Sequence, residues 1–381
     1  MQSQMQAIPC TIMRGGTSKG IFIRRNDLPP DPELRDSMIR KIFGSPDIRQ
    51  IDGLGGADVL TSKLAIIGPS KDREADVEYT FAQVSFETDT IDYAGNCGNI
   101  SSAVGPYAID AGLVEPVEPV TTVRVRLTNS GQILTEKVPV FQGKASVCGD
   151  FSIDGVPGTG AKITMDWSGV VGSVTGKLLP TGNAVDVLET GGRRYPVSLV
   201  DAGNPLVFIH ASTLGLNGTE QVQEIEGNRE LMETIERIRA EAAVKFGLVE
   251  QPERAAEESP YIPFFAIVSE PAAYKTLNGK SIAPDDMDLT ARLLFMHKMH
   301  KAYPITGTVC TGAAARIPGS IVHQIVRDTG RTLLRIGHPS GVVEVDSAAR
   351  EAGGTVQMTK IETYRTARRI MDGLVYIKND N

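Results

Sequence analysis

The sequence predicts an α/β protein made of two units with a similar plan. Its 381 residues exceed the usual size of one domain, so two domains of roughly 150 to 200 residues are expected. Segments rich in β-branched and aromatic residues alternate with amphipathic segments of helical period. In each half, a strand-rich block precedes a cysteine in a Gly-rich turn, Cys97 or Cys310, and a helix follows. The recurrence favours related halves, although they share little sequence identity.

The first half begins with two strands, "AIPCTIMR" and "IFIRR", on either side of the turn "GGTSKG". A helix is predicted over residues 31–43, because Asp31 is a suitable N-cap, a proline follows it, and Gly44 supplies the stop. The segments "VEYTFAQVSF" and "VTTVRVRLTN" have the β-branched content and partial alternation of half-buried strands. Between them, a helix is predicted from the turn around Cys97 to about Gly112.

The second half is predicted to begin near residue 190, within the turn cluster "ETGGRRYP". A strand, "PVSLVDAGNPLVFIHA", is followed by helices predicted over 228–246 and about 288–301. A further helix is predicted to open at the Cys310 turn and to end at about residue 327. The tail is expected to form a helix, "TYRTARRIMDG", and then a last strand, "LVYIK".

The composition excludes several classes of partner. With 41% hydrophobic residues, 22% charged residues and a net charge of -7, the chain has no electrostatic reason to bind nucleic acid or an anionic membrane. It shows no basic leader followed by a long apolar run and no stretch of 18 apolar residues, so a cytoplasmic protein is expected. Its four cysteines lack CxxC spacing, and no Walker, dinucleotide or HExxH motif occurs. We therefore predict neither a metal nor a cofactor.

The stretch "GNCGN" leaves two interpretations of Cys97 open. A thiol at a helix N-terminus lies near unpaired backbone N–H groups, which favour the thiolate and lower the thiol pKa. The same N–H groups can hold a carboxylate, with help from flexible Gly98 and the amides of Asn96 and Asn99. The alternative is a small buried residue beside a tight turn, which is a common setting for cysteine.

The tripeptide Thr-Ser-Lys occurs twice behind a glycine pair, at residues 17–19 and again at residues 61–63. Apolar "LAII" follows Lys63, which predicts an ammonium held near the interior. Desolvation would lower the pKa of Lys63 toward the working range of an acid or base. The alternative is a solvated surface lysine.

Two further residues have both a functional and a structural interpretation. Cys310 has a turn context like that of Cys97, and its alternative is a core thiol under a helix. His300 lies at the end of the predicted 288–301 helix, where it either reaches a site as a hydrogen-bond donor or caps the helix. No carboxylate at ligand spacing accompanies His300 and His297, so a metal site is not predicted there.

Five motifs occur in the order "MRGGTSKG", "IDGLGGADVLTSK", "GNCGN", "GKLLPTG" and "HPSG". With them, the chain resembles the PrpF family over nearly its full length, and through it the diaminopimelate epimerase-like superfamily. The resemblance implies two pseudo-symmetric α/β domains, each with strands wrapped around a central helix, and an active site in the cleft between them. The expected bounds are 1–189, joined by the last strand at 373–381, and 190–372.

The resemblance also implies site residues. It assigns acid/base chemistry to Cys97 and Lys63 without ordering the two proton transfers, and it places Ser18 at the substrate. The remaining expected substrate contacts are Gly16, Thr17, Ser62, Asn96, Gly98, Asn99, Gly203, Asn204, His300, Cys310, Thr311 and Gly312. Cys310 occupies the region where a two-cysteine epimerase has its second thiol, but the flanking "TVCTGAAA" departs from that pattern.

The implied reaction is a cofactor-independent 1,3-allylic proton shift in an unsaturated dicarboxylate, from 3-methylitaconate to 2,3-dimethylmaleate. The alternatives are isomerisation of 2-methylaconitate or aconitate and tautomerisation of 4-oxalomesaconate. An alternative of another class is an accessory protein that binds a dicarboxylate without chemistry. The expected partners are a small unsaturated di- or tricarboxylate and, in a homo-oligomer, further copies of the chain.

Overall fold

The computed structural model describes residues 4–93 and 95–379, and the chain folds as two compact units. The first unit contains the chain up to Met165 together with the segment from Arg365 onward, and the second contains Asp166–Tyr364. The "ETGGRRYP" segment, predicted to cross between domains near residue 190, is a hairpin turn within the second unit. It joins the antiparallel strands Asp186–Thr190 and Arg193–Ala202. Turn residues mark both hairpins and linkers, so their presence did not distinguish the two.

The first unit combines one long surface helix, a broken central helix and a mixed sheet. Its helices are α1 (Pro32–Phe43), α2 (Gly98–Ser101) and α3 (Val104–Asp110). Its strands are β1 (Met5–Gly15), β2 (Ser18–Arg24), β3 (Lys63–Pro69), β4 (Val77–Val84), β5 (Ile91–Asp92), β6 (Val120–Leu127), β7 (Gln132–Phe141), β8 (Lys144–Ala145), β9 (Ile163–Asp166) and the C-terminal strand β21 (Ala367–Lys378).

Helix α1 confirms its predicted start and end. The Asp31 side chain accepts a hydrogen bond from the Leu34 amide at 3.0 Å, and Gly44 ends the helix with a left-handed φ of 72°. Ile39 and Phe43 of α1 pack against one face of the sheet. The opposite face contacts the central helix, where the Phe22 and Tyr107 rings lie 5.4 Å apart. The central strands β2 and β3 are therefore buried on both faces.

The second unit has the same kinds of element. Its helices are α4 (Val222–Glu226), α5 (Arg229–Lys245), α6 (Ala255–Glu258), α7 (Ile305–Ala314) and α8 (Ile321–Ile325). Its strands are β10 (Asp186–Thr190), β11 (Arg193–Ala202), β12 (Asn204–His210), β13 (Phe264–Ser269), β14 (Tyr274–Lys275), β15 (Ser281–Ile282), β16 (Leu289–Phe295), β17 (Lys298–Met299), β18 (Leu333–His338), β19 (Gly341–Ala352) and β20 (Thr355–Arg365). Every residue of α7 is buried, and α7 packs against β11, β12 and β19.

The two units share one order of strand pairing. In the first, β1 pairs antiparallel with β2, β2 parallel with β3, β3 antiparallel with β4, β4 parallel with β6, and β6 antiparallel with β7. In the second, the same alternation runs through β11, β12, β13, β16, β18 and β19. The central helix is α2 and α3 in the first unit, where it follows β5, and α7 in the second unit, where it follows β17. This common topology supports the related halves that their weak sequence identity left open.

Three predicted helices are wrong in position or type. Residues 288–301 form the strands β16 and β17, and the tail segment 363–373 belongs to β20 and β21. β16 is buried on both faces, and such an apolar run has no period that separates strand from helix. The third helix does not open at Cys310: α7 begins five residues earlier, at Ile305, and contains Cys310 in its interior. By contrast, the helix predicted over 228–246 is confirmed as α5, with Asn228 as its N-cap.

None of the helices in the described part of the chain has the length and apolar character needed to cross a bilayer.

Candidate active site

The turn between β1 and β2 lies directly against the start of the central helix α2. The Asn99 amide holds this turn, because its Oδ1 accepts from the Thr17 amide at 3.4 Å and its Nδ2 donates to Thr17 Oγ1 at 3.1 Å. Gly16 has a left-handed φ of 51°, and a Cβ at this position would overlap the Asn99 side chain. The glycine is therefore required both by the backbone and by the close approach.

Ser18 closes this turn and is almost fully buried. Its Oγ has no hydrogen-bond partner among the residues that the structure describes. Asn96, immediately before Cys97, also has a buried polar atom without a partner among the described residues, its Oδ1. The Nδ2 of the same amide donates to Ser130 Oγ at 3.3 Å. A buried polar atom left unsatisfied costs free energy, so such atoms are expected where a ligand completes the hydrogen bonding.

Lys63 is the first residue of β3 and is 6% exposed, as the apolar residues that follow it predicted. Its Nζ donates to Gln83 Oε1 at 2.8 Å and lies 5.2 Å from the centre of the Phe81 ring. Gln83 in turn donates through Nε2 to the Ser62 carbonyl at 2.9 Å, which directs the amide oxygen toward the lysine. The ammonium is thus held in one place by neutral groups.

Strand pairing places Lys63 and Ser18 on the same face of the sheet. Ser18 and Gly20 are two residues apart on β2, so they share a face, and Gly20 is paired with Lys63 of β3. A Cβ on Gly20 would lie 2.9 Å from Ile100 Cδ1 of α2. The face that carries Ser18 and Lys63 is therefore the face that packs against the beginning of the central helix.

Cys97 is the N-cap of α2 and is partly exposed, with extended backbone angles. Its carbonyl accepts the Ser101 amide at 2.8 Å, which closes the first helical turn and leaves the amides of that turn, including those of Gly98 and Asn99, without intrahelical partners. The helix runs for only four residues before it breaks ahead of α3, so the long helix expected from Cys97 to Gly112 is present in two pieces.

The Ser62 hydroxyl, predicted to contact substrate, is hydrogen-bonded within the protein. Ser62 is fully buried, and its Oγ donates to Gln50 Oε1 at 2.6 Å and accepts from the Gly56 amide at 3.4 Å. Gln50 Oε1 also accepts from the Ala57 amide at 2.8 Å. These bonds hold the glycine-rich loop that precedes β3 and thereby the start of that strand.

Two arginines, Arg14 and Arg365, support the turn. Arg14 donates to the carbonyls of Gly16 and Thr366 at 2.9 and 2.8 Å, so it fastens the backbone. Arg365 is buried, and its Nε donates to Asn99 Oδ1 at 3.2 Å. Burial lowers the pKa of Arg365 to about 9. Its burial is not evident in "YRTARR", because the segment also contains exposed Arg368 and half-buried Arg369.

The second unit has a corresponding turn. Gly203, with a φ of 82°, separates β11 from β12, and its amide donates to the Val170 carbonyl at 3.0 Å. Asn204 Nδ2 donates to Thr306 Oγ1 at 3.0 Å, and Thr306 is the second residue of α7. As in the first unit, an Asn–Thr hydrogen bond joins the turn to the start of the central helix. Thr306 was not predicted, since the helix start was placed too late.

The other predicted residues of the second unit have defined surroundings. His300 follows β17 instead of ending a helix; it is buried, its Nδ1 accepts from the Ala302 amide at 3.0 Å, and its ring contacts Phe295. Cys310 is fully buried, with Sγ 3.3 Å from the Val200 carbonyl, and burial raises its pKa well above the usual value. Thr311 binds Tyr303, and Gly312 packs against Val345. These last three residues belong to the helix interior and lie away from its start.

Fold and site together define a duplicated sheet protein of the epimerase-like class, with polar turns at the start of each central helix. Residues 5–378 match the model of the family described as PrpF protein. The chain belongs to this family. It is 53% identical to 3-methylitaconate isomerase of Eubacterium barkeri over 99% of both chains. It is 38% identical to 2-methyl-aconitate isomerase of Shewanella oneidensis, covering 97% of this chain and 96% of the relative.

A third relative is 4-oxalomesaconate tautomerase of Pseudomonas putida, 37% identical over 98% of this chain and 97% of the relative. The solved structure of methylitaconate-delta-isomerase aligns with a TM-score of 0.85 and 53% identity, covering 99% of this chain and 97% of that chain. A hydroxyproline epimerase from Agrobacterium vitis, 14% identical, aligns with a TM-score of 0.58 over 99% and 92%. The fold is thus the diaminopimelate epimerase-like fold, and the chain is an isomerase by class.

Proposed function

We propose that this protein isomerises 3-methylitaconate to 2,3-dimethylmaleate by moving one proton across an allylic system, without a cofactor. The observation that carries the proposal is the arrangement in the first unit. A buried ammonium, Lys63, and a buried hydroxyl without a described partner, Ser18, project from the sheet face that packs on α2, and Cys97 caps that helix. The 53% identical Eubacterium barkeri relative supports the choice of substrate.

The reaction balances with two proton transfers. A base removes the proton from C3, the carbon that carries the methyl group and one carboxylate. The electron pair left behind forms the C2–C3 double bond, and the original C=C electrons take up a proton at the methylene carbon, which becomes a methyl group. Lys63 and Cys97 supply the base and the acid: one of them, as the free amine or the thiolate, takes the C3 proton, and the other, as the ammonium or the thiol, gives its proton to the methylene carbon.

The developing dienolate carries negative charge on a carboxylate, so it needs hydrogen-bond donors that are already in position. Ser18 Oγ–H and the first-turn amides of Gly98 and Asn99 are the proposed donors, and Gly16 and Thr17 shape the turn that holds Ser18. The buried Oδ1 of Asn96 is an acceptor, so we propose that it binds a protonated substrate oxygen or the Cys97 thiol. The assignments of Gly203, Asn204 and His300 to substrate binding stay predictions.

The test is a substrate panel followed by ¹H NMR in D₂O. With 3-methylitaconate, we expect the methylene signals to disappear, a new methyl signal to appear, and deuterium to enter that methyl group from the exchangeable acid. The matched comparison acids are 2-methylaconitate and 4-oxalomesaconate, each with an additional carboxylate. Faster turnover of either would replace the proposed substrate, and migration in none of the three would refute the proposed reaction.

A carboxylate-binding protein without catalysis makes a different prediction. Cys97→Ser and Lys63→Met would then leave its function intact. The isomerase predicts that both variants lose turnover while they keep the wild-type melting temperature, because neither side chain belongs to the apolar cluster that joins α1 to the sheet.

A further inference from the structure

Three segments of the first unit meet at the Asn99 side chain. They are the turn Gly15–Ser18, the beginning of α2, and Arg365, which ends β20 and is the residue at which the chain returns to the first unit. The Arg365 Nε and the Thr17 amide both donate to Asn99 Oδ1, at 3.2 and 3.4 Å. Because both donors face this oxygen, the amide can present its NH₂ group only to Thr17 Oγ1.

The Arg365 side chain packs closely against the turn at Gly16. A Cβ on Gly16 would stand 3.1 Å from Arg365 Cδ, so the arginine stem packs against the same turn that its Nε reaches through Asn99. The next residue continues the contact, since the Thr366 carbonyl accepts from the Gly16 amide at 3.0 Å. Arginine is rarely this deeply buried, and burying its charge carries a desolvation penalty.

We propose that Arg365 is a positioning residue for the isomerase reaction: by fixing the orientation of the Asn99 amide, it holds the Gly16–Ser18 turn beside Cys97. This inference rests on the proposed function, since it deepens the role of the same site. The chain of contacts runs from Arg365 to Asn99, from Asn99 to Thr17, and from Thr17 to the adjacent Ser18.

The first test is steady-state kinetics of Arg365→Met, which keeps much of the stem and removes the donor. A displaced turn weakens transition-state contacts, so kcat is expected to fall about 10²-fold with KM changed by less than about threefold. A rise in KM with unchanged kcat would overturn the proposal in favour of direct substrate binding. Unchanged kinetics would overturn it as well.

The control for loss of one positive charge is Arg350→Gln, at an exposed arginine of β19. This variant is expected to match wild type.

The second test asks whether Arg365 acts through Asn99. If it does, removing Arg365 has no further effect once Asn99 is gone. The double variant Arg365→Met with Asn99→Ala is then expected to have the same kcat as Asn99→Ala alone. Multiplied losses would show independent roles and contradict the proposal.

The third test does not depend on turnover. Hydrogen exchange of the peptide that covers Gly15–Ser18 is expected to quicken at least about tenfold in both single variants and to stay unchanged in Arg350→Gln, because the Thr17 amide loses its fixed acceptor. If Arg365→Met does not fold, Arg365→Lys serves, since it keeps the charge but places a carbon where Nε stands. Unchanged exchange refutes the positioning role even if activity falls. If wild type isomerises none of the acids, the proposed function fails, and this measurement still decides the role of Arg365.

Discussion

The Lys63 ammonium donates to the Gln83 amide oxygen at 2.8 Å, across a pair of residues that face each other on β3 and β4. Gln83 cannot rotate freely, because its own NH₂ group is bound to the Ser62 carbonyl at 2.9 Å. A glutamate at this position would form an ion pair with the lysine, whereas the neutral amide orients the lysine without adding a charge.

Lys63→Met is expected to lower kcat by about 10² to 10⁴, the usual contribution of a general acid or base. The matched control is Lys19→Met, from the other Thr-Ser-Lys segment. Lys19 neighbours Ser18 on β2, and strand alternation points its side chain to the opposite sheet face. Initial rates on 3-methylitaconate measure the effect. Equal losses in both variants would contradict the role assigned to Lys63.

Ser18→Ala is expected to change activity and stability in opposite directions. Loss of an oxyanion donor lowers kcat about 10²- to 10³-fold. Loss of a buried hydroxyl that lacks a described partner raises the free energy of unfolding by about 1 kcal/mol. Ser62→Ala is the comparison, because its satisfied hydroxyl predicts a loss of about 1 to 2 kcal/mol. Urea titrations and initial rates measure both; a destabilised Ser18→Ala would show that its hydroxyl is bonded in the free protein.

Gly16→Ala is expected to abolish most of the activity, because the new methyl group collides with Asn99 and moves the turn. Part of the stability loss comes from the left-handed backbone alone, about 1 to 2 kcal/mol. Gly353→Ala isolates that part, since Gly353 has a similar φ of 60° and nothing within 4 Å of its added Cβ. Thermal unfolding should therefore show a larger loss of stability in Gly16→Ala than in Gly353→Ala, and kinetics should show loss of activity in Gly16→Ala only.

Cys310→Ala is expected to lower stability by about 1 kcal/mol and to leave kcat nearly unchanged, because the thiol fills the core and bonds the Val200 carbonyl. Cys97→Ala is expected to do the reverse. Iodoacetamide should modify Cys97 and spare Cys310, whose buried thiol has a raised pKa. Equal loss of turnover in the two variants would instead support a two-thiol mechanism.

Glu136 of β7 predicts a pH-dependent stability. Its fully buried carboxyl accepts from the Gly105 amide of α3 at 3.1 Å, and burial raises its pKa well above the usual value. A group with a raised folded-state pKa contributes stability below its unfolded pKa and loses it as pH rises through the folded value. Glu136→Gln should therefore be more stable than wild type at pH 8 and nearly equal to it at pH 4.

Urea unfolding at the two pH values checks this prediction. Glu189→Gln, which changes an exposed carboxylate paired with Arg194, serves as the control and should show no comparable pH dependence. A gain for Glu136→Gln that is the same at pH 4 and pH 8 would mean that its carboxyl does not ionise differently on folding.

Local signals predicted the surface elements well. Helix α1 has an N-cap aspartate, a proline in the first turn and a glycine stop, and α5 has one buried stripe, so both appear close to where they were predicted. The same signals failed for β16, whose residues are buried on both faces, because an apolar run lacks the polar positions that reveal a period. The turn predicted around Cys310 is wrong for a different reason: Gly312 was interpreted as a turn residue, but it lies inside α7, where its small size lets the helix pack against Val345.

The sequence by itself determined the family, and it singled out Cys97, Lys63 and the Ser18 turn as the predicted site, since each is carried by residues close together in the chain. Only the tertiary structure decided that Ser62 binds Gln50, that Cys310 lies in a core, and that Arg365 and Thr306 stand beside the polar turns. The physical reason is that burial and hydrogen-bond partners depend on contacts between distant segments. Asn99 and Arg365, 266 residues apart, meet at one amide oxygen that no local pattern could reveal.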